Sequence, residues 1–143
     1  MNAHYETWQV ESLRLILLVD TPIDSSEVEG VLFSSGIPAE ITQVSGADAL
    51  ESVLGDPPDL IVAHFPRPDV AFVALLARIR ERHPFLPVIL VSEPIGEELT
   101  ADLFRQGISD FVLRGNWPRL SSALLRGVQR YRLLPPTCPW TSV

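Results

Sequence analysis

The chain has no lysine: all 11 basic residues are arginines. Lysine-dependent chemistry is therefore absent, and no Walker-type phosphate loop is possible. Cysteine is nearly missing too. Cys138 stands alone, which excludes an internal disulfide framework and a multi-cysteine zinc site. No G-x-G-x-x-G follows the first apolar segment, and Ser34-Ser35 and Ser121-Ser122 lack a partner constellation for nucleophilic catalysis. No apolar run approaches the roughly 18 residues that cross a bilayer. The opening Met1-Asn2-Ala3-His4-Tyr5-Glu6 carries no basic region ahead of an apolar stretch, so no secretory signal and no membrane contact are expected, and cytoplasmic residence is. Acid is missing from the last part of the chain: all 18 acidic residues lie at or before Asp110.

What is present suits one domain with a core: 143 residues, 46% hydrophobic and 20% charged. The net charge of −7 divides into −12 up to Asp110 and +5 beyond it. An acidic chain is a poor general nucleic-acid binder, so no nucleic-acid partner is expected. The basic end suits an acidic protein surface.

Residues 13–19 form an almost unbroken apolar run ending at Asp20, as parallel strands buried on both faces do. Asp24 with Glu27 offers a capping box for a helix carrying Val28, Val31 and Leu32, stopped at Gly36. A short strand is expected at 39–44. Ser45 is expected to cap a second helix with Ala47, Leu50, Val53 and Leu54 on one face. The third strand, 59–63, ends at His64, and Asp69 caps a helix with Phe72, Leu75, Leu76 and Ile79 at helical spacing. Val88–Val91 lead to Ser92, a helix runs from about Gly96 to Gln106, and Phe111–Leu113 lead to Arg114. Asn116 caps the last helix, whose Leu120, Ala123, Leu124, Gly127, Val128 and Tyr131 line one face. Strict alternation of five strand–helix units specifies an α/β fold, a doubly wound five-stranded parallel sheet with helices on both faces. Residues 1–12, with Trp8, read as a polar leader, and 133–143 as a Pro-rich tail or linker. His4 and His83 are expected to be solvated.

In such a sheet, ligands gather beyond the carboxyl ends of the strands. That edge carries Asp20, Thr21, His64, Ser92 and Arg114. Two stretches there, Val88-Ile89-Leu90-Val91-Ser92-Glu93-Pro94-Ile95-Gly96-Glu97-Glu98 and Gly107-Ile108-Ser109-Asp110-Phe111-Val112-Leu113-Arg114-Gly115-Asn116, carry a specific likeness. They resemble a subfamily of bacterial receiver domains, often fused to sensor kinases, that reads VILVSGTIGEE and later G-A-D-D-Y-V-L-K-x-N. The resemblance covers residues 13–132 and implies the flavodoxin-like strand order 2-1-3-4-5.

Receivers accept phosphate on an aspartate at the end of the third strand and hold Mg²⁺ with two acids after the first. Here the resemblance places His64 at the acceptor position, and Thr21 at the second acid position beside Asp20. An imidazole cannot form the acyl phosphate, and a hydroxyl is a weaker ligand for a hard cation. Ser92 fits the phosphoryl-binding hydroxyl, Arg114 replaces the usual lysine, and Phe111 stands at the position of the switch aromatic. The expected module is a degenerate, non-phosphorylatable receiver without cofactor, metal or enzymatic activity, acting by protein–protein interaction or dimerisation. It would be the N-terminal regulatory region of a longer signalling protein, a histidine kinase or a cyclic-di-GMP protein. Three readings of His64 stand: a polar residue at a strand end, bonded to Asp20 or a loop carbonyl; a metal ligand; or phosphohistidine chemistry. Two alternatives to the interaction module stand as well: a small-ligand or metal sensor at the strand ends, and a receiver phosphorylated at an atypical residue. Asp20 is expected to pair with Arg114. The partner surface is expected on helix 4, strand 5 and helix 5, with Trp117, Arg119, Leu125, Arg126 and Arg130 on the last helix.

Overall fold

The computed structural model describes residues 13–20 and 26–128. The leader, the tail, Thr21, Asp24, Arg130 and Tyr131, as well as the side chain of Val128, lie outside the described residues.

Alternating side chains of the first strand supply two separate cores. In β1 (Leu13–Val19), Leu13, Leu15, Leu17 and Val19 enter one apolar layer, and Ile16 and Leu18 enter the other. The strand is buried on both faces, so its sequence shows no polar alternation. The chain continues as α1 (Ser26–Ser34), β2 (Ala39–Ser45), α2 (Ala47–Leu54), β3 (Leu60–His64), α3 (Val70–Arg82), β4 (Val88–Ser92), α4 (Glu97–Gln106), β5 (Asp110–Leu113) and α5 (Trp117–Val128). All strand pairs are parallel, in the order β2-β1-β3-β4-β5. Helices α1 and α5 cover one face through Val28, Val31, Leu32, Leu120, Ala123 and Leu124. Helices α2, α3 and α4 cover the other through Leu50, Leu54, Phe72, Leu76, Ile79 and Leu103.

Most helix ends follow the expected chemistry. The Asp69 carboxylate accepts from Ala71 N at 3.0 Å and Phe72 N at 3.3 Å, satisfying two amide donors that a helix start leaves open. Ser45 departs from expectation. It closes β2 rather than capping α2, and its hydroxyl donates to Asp20 O at 3.3 Å. The N-cap is Gly46 at φ +88°, a conformation that a side chain disfavours. His83 is not solvated either. It is half-buried, with Nε2 2.8 Å from Leu54 O, and so links α3 to the end of α2.

Arg80 fastens the amino pole of the molecule, the end at which the parallel strands begin. Its Nε and Nη2 donate to Gly107 O at 2.9 and 2.6 Å, and its Nη1 donates to His83 O at 3.0 Å and Leu86 O at 2.7 Å. Desolvation pulls its pKa below the ordinary arginine value. Gly107, at φ +124°, leaves no room for a Cβ, which would lie 2.8 Å from Arg80 Nε. The end of α5 reaches the same pole. A Cβ on Gly127 would meet Leu60 Cδ1 at 3.1 Å and Pro87 Cβ at 3.6 Å, at the starts of β3 and β4.

Candidate functional site

Strand register aligns the expected residues along the carboxyl edge. Val19 pairs with His64, His64 with Val91, and Ser92 with Leu113. Asp20, His64, Ser92 and Arg114 therefore stand at the ends of β1, β3, β4 and β5 in turn. Thr21 lies outside the described residues.

His64 is half-buried. Desolvation first, then the Arg114 guanidinium, hold its pKa below the ordinary 6.5, while its own backbone, Glu27 and Glu93 act in the opposite direction. The neutral imidazole is favoured, able to donate from one nitrogen and accept at the other. Its charged neighbours are only partly those expected. Glu27, in the first turn of α1, and Glu93, just past Ser92, both bear on it, and neither was expected at the site. Glu27 has the pattern of a capping residue. Glu93 could have been found from its place one residue beyond a strand-end position.

Arg114 pairs with Glu93, Nη1 to Oε2 at 3.3 Å, not with Asp20. Its backbone N donates to Ser92 O at 2.9 Å, so the β4 and β5 ends are already joined and the nearest carboxylate is on the β4 side. Asp20 is exposed. Ser92 is 1% exposed, with Oγ 3.0 Å from Pro66 O and 2.8 Å from Glu93 O. A hydroxyl has one proton, and here two carbonyls compete for it. Among the described residues, no group of three or more His, Cys, Asp or Glu side chains is placed to hold a metal ion.

The α4–β5–α5 face carries apolar surface. Phe104, Leu113 and Leu125 are 44%, 42% and 43% exposed. Phe104 and Leu113 border a groove of about 560 Å³ with Pro94, Ile95, Phe111 and Arg119. Phe111 is half-buried against the α2–α3–α4 core, and Trp117 is half-buried against the α1–α5 core. Arg119 and Arg126 both turn onto Asp110, at 2.7 Å from Oδ1 and Oδ2 respectively. The expected band of arginines is thus partly an internal clamp on the first residue of β5. The exposed Phe104 and Leu113 were not singled out in the sequence.

No protein-family model matches the chain. A receiver domain from Clostridium thermocellum superposes with a TM-score of 0.70 at 16% identity, covering 86% of this chain and 99% of that one. The fold is that of response-regulator receiver domains. In sequence, this receiver-fold chain is 29% identical over 92 residues to the DNA-binding transcriptional regulator NtrC of Escherichia coli, covering 62% of the chain and 20% of that regulator. It is 30% identical over 71 residues to the sensor histidine kinase TmoS of Ectopseudomonas mendocina, covering 48% of the chain and 7% of the kinase. The chain spans a fifth or less of the length of these curated relatives. No helix among the described residues is long and apolar enough to cross a membrane.

Proposed function

We propose that this receiver-fold chain is a signal-transduction module that works by protein–protein contact and not by phosphotransfer. His64 carries the reading. It ends β3, in the row with Asp20 and Ser92, where the acceptor chemistry requires a carboxylate. Three further features support it. Thr21 follows Asp20, Arg114 is engaged with Glu93, and the Ser92 hydroxyl faces two carbonyls. On this reading the module is not an enzyme, needs no cofactor and resides in the cytoplasm.

The contact surface is the α4–β5–α5 face, with its exposed apolar side chains beside the Asp110 clamp. Burial of apolar surface would provide most of the affinity, and the arginine rim the orientation. The relatives include a sensor kinase and a DNA-binding regulator, which favours a regulatory region within a longer signalling protein. They lend nothing to a cyclic-di-GMP neighbour. The α4–β5–α5 groove includes neither Asp20 nor His64, so it lends nothing to a metal or small-ligand sensor at the strand ends.

The test is intact-mass spectrometry after incubation with Mg²⁺ and acetyl phosphate, alongside a beryllofluoride binding assay. The expected result is no phosphoryl mass shift and no beryllofluoride-induced spectral change. A stable acyl-phosphate adduct would overturn the reading.

A further inference from the structure

A second groove, of about 590 Å³, lies on the opposite edge of the sheet between α1 and the edge strand β2. Leu32, Phe33, Ile37, Ala39 and Ile41 line it, with Glu29 on the α1 side. Phe33 is 88% exposed, and Ile37, Ala39 and Ile41 are only half-buried on the α1–α5 core. An apolar recess ending in a nearly bare phenyl ring is costly surface to leave in water.

The backbone beside the groove is turned outward as well. Leu13 N donates to Pro38 O at 2.8 Å, and Leu13 pairs with Ala39. In a parallel pair this register directs the amides and carbonyls of Glu40, Thr42 and Val44 toward β1, and those of Ala39 and Ile41 away from the sheet. Natural edge strands are commonly blunted by proline or lysine. β2 is seven residues long and contains neither, and its one charged residue is Glu40.

The charge at this edge has a single sign. Residues 26–55 hold Glu27, Glu29, Glu40, Asp48 and Glu51, and no arginine. Glu51 is committed to Arg78 and Arg82. Arg14, the neighbour of Glu40 across the β1–β2 register, turns instead to the Asp56 carboxylate and to the carbonyls of Asp56 and Pro57. A second copy of this edge would set acid against acid, whereas a cationic chain complements it.

We propose that β2 accepts an added strand from a partner protein, an extended segment in which apolar residues alternate with arginine or lysine. Alternate side chains of such a strand fall on opposite faces of the sheet. The apolar row fills the groove against Phe33 and Ile41, and the cationic row lies beside Glu40. Main-chain bonds to Ala39 and Ile41 give affinity, and the two rows give specificity. This inference is independent of the phosphotransfer question and of the α4–β5–α5 surface.

The test is a fluorescence anisotropy titration of the full chain into two labelled peptides, TVRVRVT and TVEVEVT. The arginine peptide is expected to bind at least about tenfold more tightly than the glutamate peptide. Phe33→Asp and Glu40→Arg should each weaken its binding by about tenfold or more. Both positions are exposed, so the melting temperature should stay in place. Phe33→Leu should largely retain binding, and Phe85→Ser, at the amino pole, should not alter it. In NMR, amide exchange should slow more at Ala39 and Ile41 than at Glu40 and Thr42 when the arginine peptide is added. Each of four results would overturn the proposal: no binding of the arginine peptide, equal binding of the two peptides, binding indifferent to Phe33→Asp, or exchange at Ala39 and Ile41 that slows with protein concentration alone (a second copy as occupant).

Discussion

At position 64 an imidazole is pulled in two directions by its surroundings. Desolvation and Arg114 favour the neutral ring, and Glu27 and Glu93 favour the cation, with the first pair prevailing. The folded chain therefore binds this proton less readily than the unfolded one. The associated stability is complete above about pH 6.5 and is lost as pH falls through the folded pKa. An NMR titration should place the His64 pKa below 6.5. Arg114→Gln should raise it, and Glu93→Gln should lower it further. The drop in urea midpoint between pH 7 and pH 5 should be smaller in His64→Gln than in wild type. A His64 pKa at or above the ordinary value would contradict this account. Resemblance suggested which residues to look at along the strand ends, but not how they pair. Arg114 has Asp20 and Glu93 as rival partners, and only the β4–β5 register favours the second.

At the scale of elements, much was legible. Continuous apolar runs announced β1, β3 and β4 because a parallel sheet buries both faces, and Phe72, Leu75, Leu76 and Ile79 marked the inner side of α3 at helical spacing. Ser45 misled because a capping residue and a strand end look alike in sequence. The deciding quantity was the positive φ at Gly46. Arg80 was illegible for a different reason. Its partners are backbone carbonyls of Gly107, His83 and Leu86, and a carbonyl has no letter in a sequence. Arg80→Ala should cost about 2–4 kcal/mol in urea denaturation, since it strips a half-buried charge-assisted network and leaves acceptors unpaired. Arg80→Lys should recover only part, because an ammonium cannot fork across three acceptors. Arg78→Ala, two residues earlier, removes an exposed ion pair to Glu51 and should cost less than about 1 kcal/mol. Equal losses at the two positions would remove the distinction.

For the whole molecule, the two faces divide the labour: one core under α1 and α5, another under α2, α3 and α4, with the α4–β5–α5 corner left apolar on the outside. If that corner is the contact surface, Phe104→Ser combined with Leu113→Ser should weaken self-association or partner binding by about tenfold or more in analytical ultracentrifugation or titration calorimetry. Phe85→Ser, 88% exposed at the amino pole, should leave it unchanged. Insensitivity to the double change would move the surface elsewhere. The last described turn of α5 packs beside the starts of β3 and β4, so it leaves the fold at the pole where β1 enters. Leu13 and the last described turn of α5 thus stand at one pole of the sheet, and the row of Asp20, His64, Ser92 and Arg114 stands at the other. Held by both stems at a single pole, the domain is a knob on a stalk. It can be spliced between other modules without a neighbour being forced across its strand-end face.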